Sequence, residues 1–413
     1  VQPVKVDIKI WEDDKLVQQQ DIKVTVDAND WATTGMDLTI RNPRLWNGRK
    51  DPFMYKAEIS LLSEGQIIDR IVQPLGLRYY HVDAEKGFFL NGEHLKLKGV
   101  CRHQDRAERG NALYKMHHDE DAAIMVEMGA NAVRLAHYPQ ATYFYDLMDK
   151  YGIVTWAEIP QIGPGGYQDQ GYINQPSFRE NGKEQLKELI RQHYNHSSVI
   201  TWGYMNEILL TAPSIGKPEW LACKERTVNL AQRLEAVLKE EDPGRASVMA
   251  FNMTNLYNEI GLNLVDVVGW NLYHGWYVDK LKDFNAWCED QHRRYPDQPM
   301  IISEWGAGSD KRLHSTQGRA FDFSIEYQQT YIEHYLPFIE NTEWISGCAY
   351  WNFIDFNVAA RQESMPRVNN KGLAYNNRIW KDVAYYFKAM WRKDIPVIRI
   401  ASRDWEMRTG EIN

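Results

Sequence analysis

Two short apolar runs in this chain each end in a glutamate: Val199-Ile200-Thr201-Trp202-Gly203-Tyr204-Met205-Asn206-Glu207 and Pro299-Met300-Ile301-Ile302-Ser303-Glu304-Trp305-Gly306. Each reads as a buried strand with a carboxylate at its C-terminal mouth. Ionised carboxylates are costly to desolvate, so an acid closing a buried strand needs a reason. Both runs belong to a longer rhythm in which apolar strands alternate with amphipathic helices. Strand candidates lie at 95–100, 132–135, 154–158, 200–206, 248–251, 267–271, 300–304 and 347–351. Helical stretches intervene, among them 118–128, 143–151, 183–194, 220–238, 278–293 and 321–339. Eight such units close a (β/α)8 TIM barrel of the α/β class, whose functional face lies at the strands' C-terminal ends. Glu207 and Glu304 can meet there across one rim. A doubly wound open sheet is the rival, but no glycine-rich phosphate loop follows the first strand.

Ahead of the barrel, Val4, Val6, Ile8 and Ile10 alternate with Lys5, Asp7 and Lys9, the period of a half-buried strand. Ile22, Val24 and Val26 repeat it after the turn Glu12-Asp13-Asp14-Lys15, and further candidates follow at 37–40, 54–62 and 67–72. Short strands at this spacing, without helix, predict an immunoglobulin-like β-sandwich over 1–84. Gly87-Phe88-Phe89-Leu90-Asn91-Gly92-Glu93 predicts a small hairpin turning at Asn-Gly. The barrel then occupies 85–394, and Ile395-Pro396-Val397-Ile398-Arg399-Ile400 opens a further β-domain or tail over 395–413. Val1 falls within a strand-like pattern with no initiator Met, so the expectation is a piece of a longer chain. Its compartment is not legible; a periplasmic or secreted location is suspected.

A length of 413 residues fits two domains. The net charge of −8 offers no basic face to a nucleic acid. No apolar run approaches the ~20 residues that span a bilayer. Cys101, Cys223, Cys288 and Cys348 are scattered without a CxxC pair, which predicts buried thiols rather than a zinc site or disulfides. The load of 15 Trp and 23 Tyr fits a sugar cleft lined by rings, and fits a large core equally.

Asn206 directly before Glu207, together with Ser303-Glu304-Trp305-Gly306-Ala307, resembles glycoside hydrolase family 2, which includes β-galactosidases, β-glucuronidases and β-mannosidases. Pro43-Arg44-Leu45-Trp46 and Pro52-Phe53-Met54-Tyr55 look like that family's β-domain linker. The resemblance implies retaining hydrolysis of a β-linked glycoside, with Glu304 as nucleophile and Glu207 as acid/base, the two carboxyls about 5–5.5 Å apart. Repulsion raises one pKa of such a pair, and Glu207, among apolar and aromatic neighbours, is expected to be the raised one. Asn206 would bond the sugar 2-hydroxyl, and Tyr273 would hold the nucleophile. The blocks Cys101-Arg102-His103 and Arg134-Leu135-Ala136-His137 also resemble the family, placing His103, Arg134 and His137 at the sugar subsite with Arg102 on the same rim. Cys101 stands where many relatives have Asn. Trp351 would stack on the sugar, with a cis peptide bond to Asn352.

The sugar itself is less constrained. Asn369-Asn370-Lys371-Gly372 matches the Asn-x-Lys with which β-glucuronidases bind the sugar carboxylate, yet shorter β-galactosidases carry the same form. After Glu158, where some β-galactosidases continue with a magnesium-binding Glu and His, this chain reads Ile159-Pro160-Gln161-Ile162-Gly163. No cofactor is expected, and magnesium stays open. The stretches Trp156-Ala157-Glu158-Ile159-Pro160 and Ser303 to Gly308 favour a β-galactosidase, although Ala307 stands where those magnesium enzymes have His. A β-glucuronidase is the alternative, and a non-catalytic carbohydrate-binding barrel the third reading. A homo-oligomer also stays open.

Overall fold

The computed structural model describes residues 2–163 and 175–398. The following β-domain expected over 395–413 therefore lies almost entirely outside the described residues.

The alternating N-terminal pattern forms β1 (Gln2–Glu12) and β2 (Lys15–Val26), joined through the expected turn. A short ribbon, β3 (Trp46–Asn47) with β4 (Asp51–Pro52), precedes β5 (Tyr55–Ser63) and β6 (Gln66–Leu75). The four long strands make one antiparallel sheet in the order β2-β1-β5-β6. Ile10 and Tyr55 are buried on it with Phe53, and Leu38 and Ile40 pack there from the segment 27–45. The strand expected at 37–40 does not form. Its side chains cover the sheet, but the segment pairs with no strand, and Gln18 bonds the Thr39 carbonyl through its side chain instead.

A three-stranded sheet follows: β7 (Tyr80–Asp83), β8 (Gly87–Leu90) and β9 (Glu93–His94). Asn91 and Gly92 turn the second hairpin with φ of 52° and 84°, the left-handed pair that makes Asn-Gly the preferred dipeptide here. Phe88 and Leu90 of β8 close the floor of the barrel against Leu97, Ala132, Val154 and Ile200.

The barrel strands are β10 (Leu97–Cys101), β11 (Ala132–Leu135), β12 (Val154–Glu158), β13 (Val199–Asn206), β14 (Ala246–Asn252), β15 (Val267–Asn271), β16 (Met300–Glu304) and β17 (Ile345–Tyr350). They pair in sequence order, all parallel, and β10 closes on β17. Around them run α1 (Lys115–Met128), α2 (Thr142–Tyr151), α3 (Pro176–His193), α4 (Pro218–Glu241), α5 (Leu256–Ile260), α6 (Asp283–Arg294), α7 (Ile325–Asn341) and α8 (Asp382–Trp391). After β17 a small ribbon of β18 (Phe356–Asn357) and β19 (Val368–Asn369) carries a long loop between its strands.

Alternation decides which side chains reach the barrel mouth. On β15, Trp270 points out against Trp287 of α6, so its neighbour Asn271 points in. On β14, Phe251 stacks outside on Tyr257 and Asn252 turns inward. Asn252, Asn271 and Glu304 are register partners across three adjacent strands, which puts them in one layer. Among the described residues, no helix is long and apolar enough to cross a membrane.

Candidate active site

Glu207 follows β13 directly and Glu304 ends β16; both line one cavity of about 470 Å³ at the C-terminal mouth of the barrel. That volume lies in the range of small-ligand sites. The two acids have different surroundings. Glu304 is 5% exposed and fully engaged: Arg134 Nη1 donates to Oε1 at 2.8 Å and the Tyr273 hydroxyl donates to Oε2 at 2.9 Å. Burial and the Glu304 charge push the Tyr273 pKa well up, so its phenol keeps the proton it donates.

Glu207 has one neutral donor. Asn271 Nδ2 reaches its Oε1 at 2.9 Å. The Asn271 amide is oriented by Asn206 Oδ1, which Arg134 also bonds and which can only accept, while the Asn271 Oδ1 accepts the Ser303 hydroxyl at 2.7 Å. Burial, then repulsion from Glu304, raises the Glu207 pKa to about 7. The expectation that Glu207 is the raised acid of the pair agrees with this.

Arg134, from β11, is the hub. Besides Glu304 it bonds Glu158 through Nε and Nη2, both at 3.2 Å, and Asn206 Oδ1 at 2.7 Å. Its guanidinium lies over Trp156, 4.5 Å from the ring centroid. Burial opposes its charge, but Glu158 and Glu304 outweigh burial and raise its pKa. Glu158 feels the converse: burial opposes ionisation, while Arg134 and His137 win and hold its pKa below the usual range. Because Asn206 Oδ1 accepts from both Arg134 and Asn271, it is the amide's Nδ2 that can face a ligand.

His137 Nδ1 lies 2.7 Å from Glu158 Oε1, and its Nε2 lies 3.5 Å from Glu304 Oε1. Its ring stacks at 5.0 Å on Trp351, which walls the cavity. The peptide bond from Trp351 to Asn352 is cis, as expected, and so is that from Ala136 to His137. His103 stands one layer back, stacked on Phe356 and edge-on to Trp351 and His137. Burial and the neighbouring His137 and arginines push its pKa well down, so it is neutral packing behind the wall.

Asn369 and Lys371 also lie behind the wall. Asn369, on β19, accepts the Lys371 backbone N–H at 3.4 Å. The Lys371 amine is fully buried, has no hydrogen-bond partner among the described residues, and sits 5.0 Å above the Tyr277 ring. Burial, helped by Arg361, lowers its pKa to about 7. Tyr277 and Arg361 form the cavity wall in front of it.

His103, Asn369 and Lys371, expected at the sugar, thus stand behind the cavity lining, and Arg102, expected on the same rim, is elsewhere. Arg102 points out of the barrel, where Asp121 of α1 and Gln140 bind it and Phe144 of α2 lies beneath it. Cys101 takes the inward phase of β10, and consecutive residues cannot both face in. Its thiol meets the Ser303 carbonyl at 3.3 Å, and all four cysteines are buried and free. Sequence reasoning missed Glu158 as a partner of Arg134, and missed Asn271; both end barrel strands, the signal that found Glu207 and Glu304. Arg361 and Tyr277 come from loops and carry no such signal. Among the described residues, no group of three or more His, Cys, Asp or Glu is placed to hold a metal ion.

A family model described as "Glycosyl hydrolases family 2, TIM barrel domain" matches residues 82–394, and one described as "Glycosyl hydrolases family 2" matches residues 1–78. The chain belongs to glycoside hydrolase family 2. Within family 2, a β-glucuronidase of Bacteroides fragilis is 47% identical over 380 residues, covering 90% of this chain and 52% of its own. A crystal structure of a Bacteroides uniformis β-glucuronidase matches with a TM-score of 0.92 at 47% identity, covering 98% of this chain and 48% of that one. A second structure, of β-glucuronidase 2 from B. uniformis covalently bound to cyclophellitol-6-carboxylate aziridine, gives the same values. This chain spans about half the length of these family 2 relatives.

Proposed function

We propose that the chain carries the catalytic centre of a retaining β-glucuronidase. Glu304, its carboxylate held by Arg134 and Tyr273, attacks the anomeric carbon while the glycosidic C–O bond breaks. Glu207 gives its proton to the departing oxygen. The glycosyl ester on Glu304 is then cleaved by a water that Glu207 deprotonates, which releases the sugar and restores both acids. Asn206 donates to the 2-hydroxyl, and Trp351 offers its face to the ring. Trp351's backing by His137 and His103 keeps that face in place.

The observation that carries the choice of sugar is Lys371: a buried amine without a hydrogen-bond partner beside the cavity. A buried amine of this kind is costly, and a C6 carboxylate in the cavity offsets its charge across the Tyr277 ring that separates the two. The Asn369-x-Lys371 match and the relatives' names support the same reading. This reverses the order drawn from sequence. The β-galactosidase preference rested on the strand-end stretches 156–160 and 303–308, and a galactoside brings no charge for Lys371.

Parallel assays with aryl β-glucuronide and aryl β-galactoside test the choice, with faster turnover of the glucuronide expected. A rate favouring the galactoside would overturn it. Incubation with a cyclophellitol aziridine carrying a 6-carboxylate should add one label at Glu304, read by peptide mass spectrometry, and Glu304→Gln should abolish it.

A further inference from the structure

Lys371 does not itself form the cavity surface, because the Tyr277 ring stands in front of it. The cation that does is Arg361, from the loop between β18 and β19. Its Nη1 and Nη2 both donate to the Tyr277 hydroxyl, at 3.2 Å each, and Nη1 also bonds Glu363. These bonds use both Nη1 hydrogens and one of Nη2. The Nε–H and the second Nη2–H, which form the side edge of the guanidinium, carry no bond to any described residue. That edge is the fork that takes a carboxylate through two parallel hydrogen bonds.

We infer that Arg361 is a second, specificity-determining reader of the substrate's carboxylate, gripping it through its Nε/Nη2 edge while Lys371 supplies charge from behind Tyr277. The inference rests on the glucuronide reading. Tyr277 organises both cations: its ring faces Lys371 and its hydroxyl aims Arg361. The Glu363 carboxylate balances Arg361 at Nη1 and leaves the Nε/Nη2 edge unbonded. Two cations held by one tyrosine discriminate against C6 alcohols, which accept no fork and carry no charge.

The test measures the full chain on aryl β-glucuronide and on aryl β-glucoside, which differs only in having a C6 hydroxyl. Arg361→Gln should raise KM for the glucuronide about 10- to 100-fold, as expected for losing hydrogen bonds to a charge, with kcat little changed. The loss on the glucoside should be at least about tenfold smaller. Arg361→Lys keeps the charge without the fork and should recover only part of the KM; it also serves if the Gln variant does not fold. Equal losses on both substrates, or a wild-type KM in Arg361→Lys, would overturn the role of Arg361. If instead the wild type itself prefers the galactoside, the glucuronide reading fails first, and the two failures are told apart.

Discussion

Glu207 turns out of β13 with a left-handed φ of 49°, a conformation that side-chain-bearing residues adopt only where the surroundings require it. The turn delivers its carboxyl to Asn271 and leaves it without a cationic partner at hydrogen-bond distance. Its pKa of about 7, above the ordinary carboxyl value, means that the fold favours the protonated form. The acid step should therefore be lost as pH rises through about 7, giving kcat/KM a basic limb there. The same shift bears on stability. The contribution from protonated Glu207 is complete below the ordinary carboxyl pKa and disappears as pH rises through about 7. Glu207→Gln should accordingly melt above the wild type at pH 8 and level with it near pH 4, the gap reaching up to about 3 kcal/mol. A gap that does not widen with pH would place the raised pKa elsewhere. In Glu207→Ala, substrates with good leaving groups should keep most of their glycosylation rate, because less protonation is needed; a loss blind to leaving-group acidity would count against the acid role.

Lys371 titrates in the same range for the opposite reason: burial strips charge from a base. Above pH 7 the free amine is neutral, so a carboxylate ligand must bring a proton with it. The inhibition constant of free glucuronate should rise by up to about tenfold per pH unit above neutrality, and that of glucose should stay flat by comparison. Lys371→Met should flatten the glucuronate curve; an unchanged slope would acquit Lys371. At this scale the sequence was readable wherever a residue ends a barrel strand, since strand phase fixes its direction. Arg134, Asn206, Glu304 and Trp351 are such residues, or immediate neighbours of one, whereas Tyr273, two residues past β15, was reached through the family resemblance. Arg102 failed because it is one residue out of phase with Cys101. Arg361 was invisible because a loop has no phase.

The elements themselves were legible because each barrel strand is a continuous apolar run, buried on both faces and bounded by helix. Differences fall where a loop takes residues from an element. The helix expected over 278–293 begins at Asp283, because 272–282 turn back across the cavity, where Gly275 N–H bonds the Val278 carbonyl and Tyr277 reaches Arg361. The extended stretch at 37–40 has the composition of a strand but no neighbour to pair with. A contact between two strand ends makes a testable case. Gly306 follows β16, and a Cβ there would lie 2.0 Å from the Trp351 carbonyl oxygen, a backbone atom that cannot swing aside. Trp351 N–H meanwhile bonds the Trp305 carbonyl at 2.9 Å, tying the two segments together. Gly306→Ala should push the ends of β16 and β17 apart and displace Trp351 from the cavity wall. We expect kcat/KM to fall at least about tenfold, with a loss of stability of about 1–3 kcal/mol from overpacking. A variant with wild-type kinetics would mean that the Trp351 wall does not position the sugar.

Across the whole molecule, the order of a β-domain followed by a barrel could be read from the change of period near residue 84, but the way they are joined could not. The join is made by side chains that reach backbone carbonyls far away in sequence, and no local pattern announces them. Trp46 is fully buried and donates to the Asp149 carbonyl at the end of α2. Tyr80 donates to the Ile200 carbonyl and accepts the Ala246 N–H, bridging the lower ends of β13 and β14. Arg78 donates to the Ser197 carbonyl and, at 2.6 Å, to the Val199 carbonyl where β13 begins. Burial, with Arg245 nearby, lowers its pKa to about 10, so it stays charged at neutral pH and its bonds are charge-assisted. These contacts fix the lower end of the strand that delivers Glu207 at its upper end. Arg78→Met keeps the stem's packing and leaves the Ser197 carbonyl without that donor, a cost of about 1–3 kcal/mol. Val199 retains Arg245 as a donor, so β13 should stay in register and kcat on a good substrate should hold. The loss should appear instead as weaker coupling between the two domains. Calorimetry is expected to resolve an earlier, separate transition for the N-terminal sheet in Arg78→Met, where the wild type melts with the two joined. If the variant still melts as one unit with an unchanged midpoint, Arg78 does not couple the domains, and the double variant Trp46→Ala/Tyr80→Phe should then loosen the join.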